Sequence, residues 1–215
     1  MPPQRPSYIL FDLGNVLVNI EPAAFLRTLG IDTPENRRYY QPLITQLVRR
    51  YERGEDSTET YLQLVDILFN ESPEAGGHNH GGGWKFTSSE FRGAMLSIIR
   101  DPIAGMQERV ARLAAAVPLG LLSNTNPLHF DFCMEHLPAL RSIPTHFLSY
   151  RMHALKPDRA IFEGVVRQLN LPPSEVLYFD DLADNVDAAS SIGMRGLLFA
   201  GLAKLDQDLG DFGLI

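Results

Sequence analysis

Tyr8-Ile9-Leu10-Phe11-Asp12-Leu13-Gly14-Asn15-Val16-Leu17-Val18 sets a carboxylate directly behind a four-residue apolar run. The run has the length of a fully buried strand, and Gly-Asn shortly after it is a stop signal. A carboxylate is a poor structural choice at the end of such a strand. Unpaired burial costs several kcal/mol in desolvation, and a leucine would pack better. Two readings compete for Asp12: a turn cap, a place Asp favours, or a group held there for chemistry as metal ligand or nucleophile. The rest of the chain bears on the choice.

Working outward, short apolar runs recur at Leu119–Leu122, His146–Leu148, Val176–Phe179 and Gly196–Phe199. Amphipathic stretches lie between them. In Asp158–Leu169 the residues Ile161, Phe162, Val165, Val166 and Leu169 share one helical face, and Pro157-Asp158 starts that helix well. Asp184 to Ile192 reads as another helix, closed by Gly193, and Ile103 to Val117 as a third. The alternation predicts an α/β fold with a doubly wound, mostly parallel, Rossmann-like sheet. Residues 21–100 break the pattern. Pro34–Arg53, with a stripe of Leu43, Leu47 and Tyr51, and Ser57–Phe69 read as helices with no strand between. The expected organisation is an α/β core of residues 1–20 and 101–215, with residues 21–100 inserted as an all-helical cap over the carboxyl edge of the sheet, where open α/β folds bind ligands. Gly76–Gly83 is a flexible loop in that insertion. His78 and His80 read there as a mobile tip rather than a metal clip, because a structured site needs more ligands.

Composition narrows the function classes. The 215 residues suffice for one domain with an insertion, and 45% hydrophobic with 21% charged residues is ordinary for a globular protein. A net charge of −7 opposes diffuse attraction to nucleic acid or an anionic membrane. An anionic substrate therefore needs a local positive pocket. Cys133 is the single cysteine, which fits a reducing, cytoplasmic setting and a packing role. No apolar run approaches the ~20 residues that span a bilayer, and Met1–Pro6 lacks the apolar core of a secretory signal. Oligomeric state leaves no legible signal.

Four polar sites fall at the carboxyl ends of expected strands. Asp12 is the first. Leu122-Ser123-Asn124-Thr125-Asn126 ends a strand with a hydroxyl and an amide before a helix start, a place that binds phosphate oxygens. Lys156-Pro157 puts a lysine just before another helix, where it can neutralise a phosphoryl group or hold a carboxylate. Phe179-Asp180-Asp181-Leu182-Ala183-Asp184-Asn185 sets two adjacent carboxylates at a strand end. Converging with Asp12, these hard oxygens would make a Mg²⁺ site that retains waters and accepts a phosphate oxygen. Each piece alone has a plain alternative as a turn, a surface charge or an N-cap pair. Four such accidents in this order would be an odd coincidence.

The order and spacing resemble the haloacid dehalogenase superfamily of phosphohydrolases and dehalogenases across essentially the whole chain. The nearest likeness is to its α-glucose-1-phosphate phosphatases and the N-terminal phosphatase domain of soluble epoxide hydrolases. It is carried by Phe11–Val16, Leu122–Asn126, Lys156-Pro157 and Phe179–Asn185. The resemblance implies a Mg²⁺-dependent phosphomonoester hydrolase that works through an aspartyl-phosphate on Asp12. Ser123 and Asn124 would bind phosphate and Lys156 would clamp charge. Asp12, the Gly14 carbonyl and Asp181 would hold the metal, supported by Asp180 and Asn185. The implied partner is a small phosphorylated metabolite, with hexose 1-phosphates and other sugar phosphates foremost.

One position departs from the family. Most of its phosphatases carry an Asp two residues after the nucleophile as general acid and base, and here that residue is Gly14. Losing a positioned proton donor costs on the order of 10²–10⁴-fold. Water or another side chain such as His129 replaces it, or the leaving group is good, or the chain is a weak enzyme or binding scaffold. A 2-haloacid dehalogenase is the enzymatic rival, although Asp180-Asp181 beside a carboxylate substrate without a metal would be repulsive. Arg49, Arg50 and Trp84 are cap residues that could reach a substrate, but surface or packing roles account for each better.

Overall fold

The computed structural model describes residues 4–71 and 85–215. His78, His80 and Trp84 lie outside the described residues. The first apolar run forms β1 (Tyr8–Phe11), buried at every position. The chain then makes a short strand β2 (Val18–Ile20), four helices, α1 (Ala24–Thr28), α2 (Pro34–Glu52), α3 (Thr58–Asp66) and α4 (Ser88–Leu96), and returns through β3 (Ile99–Pro102). From there strand and helix alternate: α5 (Met106–Ala114), β4 (Leu119–Ser123), α6 (Pro127–His136), β5 (Thr145–Leu148), α7 (Ser149–Met152), α8 (Arg159–Leu169), β6 (Val176–Asp180), α9 (Ala183–Ser191), β7 (Arg195–Leu198) and α10 (Leu202–Asp211).

Five strands form one parallel sheet in the order β5-β4-β1-β6-β7. From β1 the chain builds outward to β4 and β5, then returns to lay β6 on the other side of β1. The direction of winding therefore reverses between β1 and β6, the kind of crevice in which open α/β sheets bind ligands. Strand pleating sends alternate side chains to opposite faces. Ile9, Phe11, Leu121, Leu177 and Phe179 pack with α5, α6 and α10. Tyr8, Leu10, Leu122, Val176 and Tyr178 pack with α8 and α9. Both faces are covered, which is why these strands read as continuous apolar runs rather than alternating ones.

The inserted helices bury a core of their own. Its centre is aromatic: Tyr51 stacks on Tyr61 with ring centroids 4.6 Å apart and Tyr40 on Phe69 at 4.5 Å. Side-chain oxygens cap these helices, from Thr33 to α2, Ser57 to α3, and a reciprocal Thr87–Glu90 capping box to α4. The inward face of α2 is set by Tyr40, Ile44 and Tyr51, with Leu47 and Val48 partly buried; Leu43 lies outside that cluster. The expected helix over Ser57–Phe69 ends at Asp66 and continues as a wider turn over Ile67–Glu71.

Two short strands unforeseen in the sequence bracket the helical insertion at its base. β2 and β3 pair antiparallel, Val18 with Pro102 and Ile20 with Ile99, so the two chain crossings run side by side as a stalk. Asn19 Nδ2 donates to the Asp101 carbonyl at 2.9 Å across it. Two short strands, one reading Ile-Arg-Asp-Pro, carry neither an apolar run nor a clean alternation, so no pattern betrayed them. Among the described residues no helix is long and apolar enough to cross a membrane.

Candidate active site

β1 and β6 end side by side, and the residues that follow them turn toward one another. Asp12 N–H donates to the Phe179 carbonyl at 2.9 Å, which fixes the first carboxylate against the sixth strand. A carboxylate oxygen from each of Asp12, Asp180 and Asp181 lies within 4.8 Å of the others. Lys156, from the loop before α8, reaches into the cluster with its ammonium 2.8 Å from Asp12 Oδ1 and 2.6 Å from Asp180 Oδ2. Asp12, Lys156 and Asp180 are all buried. Three carboxylates against one ammonium leave a net negative pocket, and its hard oxygen donors fit a small divalent cation.

The two partners of Lys156 do different work. Asp180 is saturated with protein donors: Leu182 N–H and Asn185 Nδ2 to Oδ1 at 2.9 Å each, and the Tyr178 hydroxyl and Lys156 to Oδ2. Burial pushes its carboxyl up, but Lys156 and the hydrogen bonds outweigh burial and hold it below the usual range. Asp180 therefore anchors the lysine. Asn185 spends its amide on Asp180, which puts it behind the cluster rather than in it. Asp12 has fewer donors, and burial raises its carboxyl to about 6 against the opposing pull of Lys156. For Lys156, burial works against the ammonium, but Asp12 and Asp180 more than compensate and its pKa is raised.

Ser123 and Asn124 close the site from β4. The Asn124 amide makes a reciprocal pair with the backbone of Lys156, accepting from Lys156 N–H at 2.8 Å and donating to its carbonyl at 2.9 Å. That ties the serine loop to the lysine loop, and the Asn124 side chain is fully occupied in doing so. Next along the chain, Ser149 Oγ clamps Thr125 through both its N–H and its carbonyl at 3.0 Å. Asn126 caps α6 by accepting from His129 N–H at 3.0 Å.

Asn15 is a participant that sequence reasoning quoted without giving it a task. Its Nδ2 donates to Asp181 Oδ2 at 3.0 Å, and its Oδ1 accepts from Ile20 N–H at 3.2 Å, so it joins the acidic cluster to the stalk. The residue sits at φ +54°, a left-handed conformation that Asn tolerates better than most side chains. Gly14, next to it, has its Cβ space taken by Ile20, whose Cδ1 would stand 3.0 Å from an added methyl.

Beyond the acidic cluster, a cavity of about 260 Å³ opens between sheet and helices. Gly14 and Ser123–Thr125 line its floor, and Ile20, Phe25, Ile44 and Val48 contribute apolar wall. Arg49 lines it too, whereas Arg50 turns outward to pair with Asp56 at 2.8 Å. Glu52 was missed entirely. It ends α2, faces this cavity, and makes no hydrogen bond or salt bridge among the described residues. Burial raises its carboxyl to about 7, with Asp12 adding to the shift and Arg49 and Lys156 opposing it. An acid at a helix C-terminus, where the backbone dipole favours cations, is the signal that marks it in the sequence. His129 lines the cavity but has both ring nitrogens engaged: Nδ1 with Asn126 Nδ2 at 3.1 Å and Nε2 with the Met95 carbonyl at 2.9 Å. Burial lowers its pKa.

Comparison with known proteins points the same way as the geometry. The chain is 26% identical over 200 residues to a D-ribitol-5-phosphate phosphatase of Bacteroides thetaiotaomicron, covering 87% of this chain and 88% of that one. It is 46% identical to the drimenol cyclase drtB of Aspergillus calidoustus over 94% of its own length, but spans only 35% of that larger protein. A haloacid-dehalogenase-family enzyme of B. thetaiotaomicron, crystallised with magnesium and inorganic phosphate, superposes with a TM-score of 0.74 at 18% identity, over 91% of this chain and 95% of the other. The family model for haloacid dehalogenase-like hydrolases matches residues 7–193, and with the Asp12, Ser123, Lys156 and Asp180-Asp181 segments meeting at one sheet edge, the chain belongs to that family of hydrolases.

Proposed function

We propose that this hydrolase is a Mg²⁺-dependent phosphomonoesterase that acts on a small metabolite through an aspartyl-phosphate. The observation that carries the reading is the Lys156 ammonium bridging Asp12 and Asp180 beside Asp181. Asp12 is the nucleophile, and splitting hydrolysis into carboxylate attack and water attack is nucleophilic catalysis. Lys156 holds its carboxylate in place and offsets charge on the transferring phosphoryl group. The Ser123 hydroxyl and the backbone N–H of Asn124 take phosphate oxygens. Asp12, the Gly14 carbonyl and Asp181 would hold the cation, with Asp180 and Asn185 fixing the geometry from behind. Bound there, Mg²⁺ would neutralise phosphate charge and polarise the phosphoryl oxygens. Residues 21–100 act as a lid whose closure excludes bulk water.

Sugar phosphates, hexose 1-phosphates first, follow from the family likeness, and the ribitol-5-phosphate relative supports a substrate of that size. A second reading rests on the cavity wall. Gln41 and Thr45 also line it, but Ile20, Pro22, Phe25, Leu26, Ile44 and Val48 make most of that wall apolar and favour an apolar group on the phosphate. A panel of hexose 1-phosphates, pentitol phosphates and alkyl or prenyl monophosphates, with and without Mg²⁺, separates the two. Phosphate release that needs Mg²⁺ and vanishes in Asp12→Asn is the expected result. Halide release from a 2-haloacid without Mg²⁺ would replace the phosphatase with a dehalogenase, and silence in both assays would leave a binding protein.

A further inference from the structure

The missing acid at position 14 leaves a definite gap in the chemistry. No side chain can fill it from β1, since Gly14 has none and Ile20 occupies the space above its Cα. The described cavity wall contains three ionisable side chains: Arg49, Glu52 and His129. Arg49 stays protonated at any working pH. His129 holds Asn126 with one nitrogen and the Met95 carbonyl with the other, so it has no free position from which to move a proton. Glu52 is left, an acid facing the cavity with no hydrogen bond or salt bridge among the described residues.

Its placement is built rather than incidental. The chain leaves α2 through Gly54 at φ +71°, packed so tightly on α7 that an added Cβ would stand 2.2 Å from the Tyr150 carbonyl oxygen. The Arg53 carbonyl lies 3.2 Å from His153 Nδ1, and the Arg53 guanidinium 3.8 Å from Asp158. These contacts dock the end of α2 onto the sheet-bearing part of the molecule and hold Glu52 over the site. Arg49 faces it from the preceding turn of α2, and Asp12 and Lys156 from the sheet edge below.

We infer that Glu52, supplied by the lid, is the proton donor and acceptor that the residue at position 14 cannot be; the inference rests on the phosphatase reading. In the first step an Asp12 oxygen bonds to phosphorus, the bond from phosphorus to the leaving oxygen breaks, and the Glu52 carboxyl proton passes to that oxygen to give a neutral alcohol. In the second step a water bonds to phosphorus and gives one proton to the Glu52 carboxylate. The bond from phosphorus to Asp12 breaks, regenerating the Asp12 carboxylate, the Glu52 acid and inorganic phosphate. The raised pKa described above keeps a useful fraction of Glu52 protonated near neutral pH. The arrangement also couples chemistry to closure, because the acid arrives only with the lid.

Leaving-group dependence tests it. The isosteric Glu52→Gln should cut kcat/KM by about 10²–10⁴-fold for an alkyl phosphate, whose alcohol must be protonated as it departs. With 4-nitrophenyl phosphate, whose phenolate leaves unaided, the first turnover should stay within a few fold of wild type. Nitrophenolate should then appear as a burst, because phosphoenzyme hydrolysis lacks its base. The alkaline limb of the alkyl phosphate pH profile should disappear in Glu52→Gln and persist in Glu52→Asp. Equal losses of kcat/KM on both substrates, or wild-type rates on both, with an unchanged circular dichroism spectrum, would overturn the inference while Asp12→Asn still abolishes turnover. A wild-type protein inactive on every phosphoester would remove the phosphatase reading and this inference together.

Discussion

Lys156 is the residue on which the site's electrostatics turn. It stands between two buried carboxylates, and each of the three charges is tolerable only because of the others. Lys156→Met keeps the length of the side chain and deletes the charge. At neutral pH without metal it should cost about 3–5 kcal/mol, the usual penalty for leaving a buried charge unpaired, measured by urea unfolding. The sign of the pH dependence follows from Asp180, whose folded pKa lies below its ordinary value. Such a group contributes stability above its unfolded pKa and loses it as pH falls through the folded one. Lys156→Met should therefore hurt most at neutral pH and least in acid. Asp12, Ser123 and Asp181 were legible in the sequence because each follows an apolar run that announces a strand end, and Lys156 because it stands just before the Pro157-Asp158 helix start. Glu52 and Asn15 were not. Their tasks depend on where a helix of the insertion docks and on a left-handed turn, neither of which a one-dimensional pattern records.

At the scale of the element, the end of α2 is the joint that matters. Gly54 is the one position there where backbone conformation and close approach both exclude a side chain. Gly54→Ala should force the helix end off α7. The left-handed conformation alone costs an L-residue about 1–2 kcal/mol, and the clash adds to it. The expected outcome is a lower Tm together with a loss of activity on alkyl phosphates, checked by thermal denaturation and steady-state rates. The strands of the sheet were readable because burial on both faces leaves uninterrupted apolar runs, and α8 and α9 because their apolar stripes and the Gly193 stop are local. The β2–β3 pair escaped notice since its partners are some eighty residues apart and its residues are largely exposed. For α2 the helix was plain but its inward face was not: Leu43 and Ile44 are adjacent, and only packing against Tyr61 and Phe69 selects between them.

For the whole molecule, the raised pKa of the acid at the end of α2 has a thermodynamic consequence. Glu52 has a folded pKa of about 7, above the ordinary 4.5. A carboxyl with a raised pKa binds its proton more tightly in the folded state, so metal-free stability should fall as pH rises from about 4.5 to 7 and level off above. After allowance for partial exposure the loss is on the order of 1–2 kcal/mol. Urea titrations across that range should show the slope in wild type and a flatter one in Glu52→Gln. A slope of opposite sign assigned to Glu52 would place its carboxyl in a salt bridge instead.

The stalk carries a mechanical implication. Two covalent crossings laced by backbone and Asn19 hydrogen bonds behave as one ribbon, stiff against sliding and soft against twist. The inserted helices also touch the sheet-bearing part at the end of α2, but this ribbon is their covalent post, about which a lid would swing rather than translate across the sheet edge. On the lid reading, such a swing would bring Glu52 back along one arc toward Asp12, so that alignment of the two carboxyls would come from the ribbon rather than from whichever molecule is caught between them.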